Sequence, residues 1–74
     1  MASPTFWLAE DGSSFRIGDT VAIDPLPFGL DRDAVGVVIG VDPTHGAPVL
    51  ELVAGQRVGS RLVVWPTHVL LRLG

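Results

Sequence analysis

His45 and His68 are the only imidazoles in the chain, and neither stands at a recognisable catalytic or metal-ligand spacing. Asp42, three residues before His45, could join it on a metal, but a tetrahedral site needs further carboxylates or imidazoles that the local sequence does not supply. Both histidines fall in turn-like stretches, Pro43–Gly46 and Pro66–His68, where a solvated or backbone-bonded ring is the simpler reading. Ser13, Ser14 and Ser60 also sit among turn residues, with no base at a spacing that would activate a hydroxyl, and read as turn formers. Arg57 and Arg61 flank Gly59 and could hold an anion, although a solvated hairpin is the favoured reading. Asp31, Arg32 and Asp33 read as an acidic loop tip, with Arg32 as a partner contact at most. Cysteine is absent, so disulfides and thiolate metal sites are both excluded. No catalytic, cofactor-binding or metal residue is assigned, and the chain reads as a non-enzyme.

Composition points the same way. The 74 residues are enough for one domain, which at this size buries only about 60% of its unfolded surface. The net charge is −3, and all five basic residues are arginines. A nucleic-acid binder of this size ordinarily carries a positive excess to neutralise phosphates, and this chain has none. The chain is nonetheless 47% hydrophobic, with a mean hydropathy of +0.45. A thin core cannot absorb that much apolar surface, so part of it is expected to lie against another protein chain. Apolar runs are short and broken, and no membrane insertion is expected. Met1–Thr5 has no basic region and no long apolar core, so it does not read as a secretory signal. An intracellular place, or one in a virion, is the expectation.

Glycine and proline punctuate short β-rich runs at intervals of about ten residues, the pattern of an all-β domain. Thr5–Ala9 reads as a first strand or an extended arm, so residues 1–14 are set apart from a domain at 15–74. Phe15–Ile23 alternates and bends at Gly18. Residues 24–33 form a long loop, because Pro25 and Pro27 remove backbone donors. In Val35–Asp42 the residues Val35, Val37, Ile39 and Val41 are expected to face the core, leaving Val38 outside between Gly36 and Gly40. Strands at 48–54 and 61–65 follow, then a 3₁₀ turn at Pro66–His68 and a last strand at 69–73.

This order resembles the SH3-like barrel, carried by Gly18-Asp19-x-Val21-x-Ile23, Val35-Gly36-x-Val38 into Val41-Asp42, and Trp65-Pro66-x-x-Val69. The resemblance covers residues 15–73 and implies an all-β small barrel of five to six strands, with a long first loop and one 3₁₀ turn before the last strand. Such barrels host many functions. Gly18-Asp19 with Gly36 is similar to the KOW element of ribosomal and transcription proteins, which implies an RNA or polymerase contact. The surrounding Asp19, Asp24, Asp31, Asp33 and Asp42 would repel phosphate. The chain also resembles the plasmid-borne trimethoprim-resistant dihydrofolate reductases, which implies an enzyme formed by symmetric assembly. Val63 stands where that family needs a glutamine, however, and lysine is absent. Small accessory subunits of redox complexes, such as the stromal subunit of photosystem I and the variable chain of ferredoxin–thioredoxin reductase, share the Val35-Gly36-Val37-Val38 strand. They imply a barrel clamped onto a larger partner.

The expected function is therefore a non-catalytic interaction or structural module, an accessory subunit or building block of a homo-oligomer, virion or larger complex. Phe6, Trp7, Leu8, Phe28, Val38, Val63 and Trp65 are the expected partner-binding residues. Nucleic-acid binding should be weak near physiological salt, for want of clustered cations. A fluorescence-anisotropy titration with mixed-sequence RNA checks this, and micromolar binding that falls steeply with salt would refute it.

Overall fold

The computed structural model describes residues 6–30, 32 and 34–74. Thr5 of the expected first strand, and Asp31 and Asp33 of the acidic loop tip, lie outside the described residues. The described chain is all-β: β1 (Trp7–Leu8), β2 (Ser14–Phe15), β3 (Thr20–Ile23), β4 (Ala34–Val41), β5 (Pro48–Ala54), β6 (Arg61–Val63) and β7 (Val69–Arg72). Two 3₁₀ turns, Leu26–Phe28 and Pro66–His68, complete it. β1 and β2 form a small antiparallel ribbon, and the other five strands form one antiparallel sheet in the order β6-β5-β4-β3-β7. The expected barrel closure is absent from the hydrogen bonding, because β6 and β7 end the sheet without pairing.

The stretch expected to run unbroken from Phe15 to Ile23 is interrupted. Gly18 adopts φ +98°, Asp19 N–H donates to the Arg16 carbonyl at 3.0 Å, and Arg16 N–H donates to Asp19 Oδ2 at 2.9 Å. A tight turn needs the left-handed conformation that glycine adopts at little cost, so a turn replaces the bend. The proline loop also holds more order than expected. Pro25 and Pro27 supply the fixed φ of a 3₁₀ turn at Leu26–Phe28, while Leu30 reaches the core.

The central strand faces the opposite way from the sequence expectation. Ala34, Gly36 and Val38 are buried, whereas Ile39 is exposed and Val35 and Val37 are only partly covered. Val41, beyond the register shift between Val38 and Gly40, packs against the core as expected. Gly36 lies opposite Val21 on β3 and Leu52 on β5, and Ala34 lies opposite Ile23. Val21, Leu52 and Ile23 are all large or branched, and they fill the space that the small residues of β4 leave open. A Cβ on Gly36 would sit 3.1 Å from Leu50 Cδ2 and 3.3 Å from the Glu51 carbonyl oxygen. Interiors are packed too densely to accept a second layer of branched side chains there. Val38 is accordingly a core residue, 1% exposed, and is not available to a partner.

Trp7 also belongs to the core, together with Ala9, Phe15, Val21, Ile23, Leu50, Leu52, Val64 and Val69. It stacks on Phe15 at 5.7 Å, and its Nε1–H donates to the Gly46 carbonyl at 2.9 Å. The indole thus hides its large apolar area and satisfies its one donor in cis. Trp7 is therefore no free anchor for a partner, and the boundary drawn after residue 14 falls inside β2. Replacing Gly36 by valine should destabilise the protein by about 1–3 kcal/mol through overpacking. Trimming Val37 to alanine on the outer face should cost less. Urea denaturation of both variants tests the facing of β4, and the reverse order would sink it.

Candidate functional site

Three places on the molecule gather side chains that could act on something else. The first is the turn between β4 and β5. Asp42 Oδ2 lies 2.7 Å from His45 Nδ1, and Thr44 N–H donates to Asp42 Oδ1 at 3.4 Å. The hydrogen bond from His45 holds the Asp42 carboxyl below its ordinary value. An ionised carboxylate only accepts, so the proton of this bond sits on Nδ1. The pair has the form of a base and its orienting acid. Yet the imidazole meets the edge of Trp65, with ring centroids 5.3 Å apart, and no hydroxyl is bonded to it among the described residues. The arrangement closes a turn and orients Trp65, and offers no nucleophile to activate.

The other chemical candidates are dispersed. His68 packs edge-on against Phe28 at 6.1 Å, and its carbonyl accepts from Asp24 N–H at 2.8 Å. No group of three or more metal-ligating side chains occurs among the described residues. Ser13 Oγ donates to Asp11 Oδ1 at 2.6 Å and accepts from Arg72 N–H at 3.4 Å, which makes it a structural clip. Arg61 is engaged by a carboxylate rather than left open to an anion. Arg61 Nε is 3.3 Å from Glu51 Oε1 across the β5–β6 pair, and Arg57 stands in the left-handed region with φ +53°.

The second place is the outer face and free margin of β6. Val63 and Trp65 are each 49% exposed, Val53 is exposed, and Val49 lies directly across from Val63. Leu52 N–H donates to the Ser60 carbonyl and Val64 N–H to the Pro48 carbonyl. Opposed residues of an antiparallel pair alternate between bonded and non-bonded. The bonded partners are therefore 52 with 60, 50 with 62, and 48 with 64, which turns the backbone N–H and C=O of Arg61 and Val63 away from β5. No described residue meets them. The opposite margin, on β7, is covered: Glu10 N–H donates to the Val69 carbonyl at 2.7 Å, and Asp11 N–H to the Leu70 carbonyl at 3.3 Å.

The third place is a hollow of about 330 Å³ in the seam between the β1–β2 ribbon and the sheet, lined by Phe6, Ser14, Phe15, Arg16, Asp19 and Arg72. Sequence reasoning missed it, because Arg16 and Arg72 are far apart in the sequence and come to one hollow through the pairing of β3 with β7 and the bond of Arg72 N–H to Ser13 Oγ. Of the residues expected to bind a partner, Phe6, Leu8, Val63 and Trp65 are exposed, Phe28 packs against the core, and Trp7 and Val38 lie inside it. Phe6 and Leu8 belong to the ribbon, and Val63 and Trp65 to the β6 region, so they do not make one surface. No helix among the described residues is long and apolar enough to cross a membrane. Compared with protein-family models, curated proteins and solved structures, the chain matches none of them.

The lowered Asp42 pKa has a definite sign. The carboxylate stabilises its turn fully above the ordinary value of 3.8, and that contribution is lost as pH falls through the lowered folded value. The Thr44 amide resonance should therefore titrate with a midpoint below 3.8 and stop titrating in Asp42→Asn. A midpoint at or above the ordinary value would contradict the Asp42–His45 contact.

Proposed function

We propose that this chain is a non-catalytic interaction module, a small SH3-like barrel that associates with a second copy of itself along β6. The observation that carries this reading is the difference between the two margins of the sheet. The β7 margin is closed off by residues 10 and 11, while the β6 margin leaves its backbone groups unpaired among the described residues, beside exposed Val63 and Trp65. Unpaired edges are what natural proteins cover, charge or use for strand addition. Two β6 strands paired antiparallel about Val63 would set Arg61 across from the second copy's Trp65, a cation–π contact, on both sides of the symmetry axis.

The path of the chain favours the barrel kind. β6 and β7 run in the same direction at opposite margins, so residues 64–68 pass from the end of one to the start of the other. On a flat sheet the four strand spacings alone would separate the margins by about 19 Å, before the length of the strands is added. A five-residue link containing a 3₁₀ turn reaches roughly that far at most. The sheet must therefore coil strongly, bringing Val64 and Val69 into one core. The acidic balance and the dispersed arginines favour a protein partner over RNA.

Sedimentation velocity on the isolated chain should give a particle larger than a monomer at high micromolar concentration. Val63→Pro removes only an outward-facing N–H, which an edge strand tolerates, and should return it to monomer with its β circular dichroism intact. Trp65→Ala should weaken association by about 1–2 kcal/mol. A chain that stays monomeric, or a proline variant that associates as before, defeats the proposal.

A further inference from the structure

The hollow between the ribbon and the sheet is independent of the β6 margin and lies at the other side of the sheet. Both arginines of its lining are held through their backbone N–H groups and not through their guanidinium groups. Arg16 is placed by its N–H bond to Asp19 Oδ2, and Arg72 by its pairing with Val21 and its N–H bond to Ser13 Oγ. Neither guanidinium has a carboxylate partner among the described residues. The described ion pairs join His45 to Asp42 and Arg61 to Glu51, and no unstated contact falls on Arg16 or Arg72. Two unpaired arginines thus line one hollow in a chain whose net charge is −3. Beside them stand a hydroxyl, Ser14, and an aromatic ring, Phe6, that is 55% exposed.

We infer that this hollow binds a single carboxylate carried next to an apolar or aromatic group. Guanidinium presents paired donors that match the two oxygens of a carboxylate, and the Ser14 hydroxyl can add a third. Asp19 also lines the hollow, so its formal charge is one positive unit, which suits a monoanion better than the dianion of phosphate. The Phe6 ring offers an apolar surface against which the remainder of the ligand loses water. That chemistry is shared by a free aromatic acid and by the carboxyl terminus of a peptide ending in an apolar residue.

The test is a titration of the full chain at low salt, followed by amide resonances and by calorimetry. The probes are phenylacetate, a tetrapeptide ending in phenylalanine, the same peptide as its terminal amide, and inorganic phosphate. Binding of a carboxylate probe is expected at about 1 mM or tighter, as befits a ligand of this size in an open hollow. Shifts should centre on residues 14–19 and 72. The amide and phosphate should each bind at least about tenfold more weakly than the better acid. Arg16→Gln and Arg72→Gln keep the backbone bonds and should each weaken the acid by about tenfold. Whichever carboxylate probe binds better identifies the source. The inference falls if neither acid binds, if the amide or phosphate equals the acid, or if both glutamine variants bind as before.

Discussion

Everything in this fold leans on the smallness of the inner face of β4. Ala34 and Gly36 occupy the middle of the sheet where neighbours press from both sides, Val21 and Ile23 from β3 and Leu50 and Leu52 from β5. Close approach there lets a domain of 74 residues build a continuous core without disulfides or metals, which chains of this size often need. The cost is that Val35, Val37 and Ile39 of β4 are left out of the core. Ile39 thereby joins Phe6, Leu8, Leu26, Val63 and Trp65 among the exposed apolar residues behind the surplus that composition alone records.

That inversion marks the limit of what was legible in the sequence. Strand positions and turns follow from glycine, proline and alternation, and β4, β5, β6, β7 and the Pro66–His68 turn fall where these signals put them. On β5 the alternation sets leucines against a glutamate, and Leu50 and Leu52 are the residues it buries. On β4 both faces are apolar or small, so hydrophobicity ranks them wrongly, and only the bulk of the neighbouring strands decides. Trp7 carried a similar ambiguity. An aromatic residue near a chain end suits an arm as well as a core, and the distinction rests on Phe15 and Gly46, which the sequence does not place beside it.

Site residues were legible only where one strand defines them. Val63 and Trp65 alternate with Leu62 and Val64, so their exposure follows from period alone. The hollow lined by Arg16 and Arg72 arises from a pairing between distant segments, for which a single sequence holds no local signal. The histidines illustrate the converse. His45 beside Asp42 is visible in the sequence, yet its chemistry is decided by Trp65, which leans on the imidazole from another strand's end.

The seating of β7 has a consequence in time. β3 to β6 form a meander whose neighbours in space are neighbours along the chain, whereas β7 pairs with β3 across the whole intervening length. Closing so large a loop costs entropy before any contact repays it, so the meander can form first and the last strand must come late. The β1–β2 ribbon bonds through Glu10 and Asp11 to that same strand. The ribbon and β7 therefore set together, as a latch thrown after the meander has taken shape. An emerging chain would have to wait for β7 before its β1–β2 ribbon could settle.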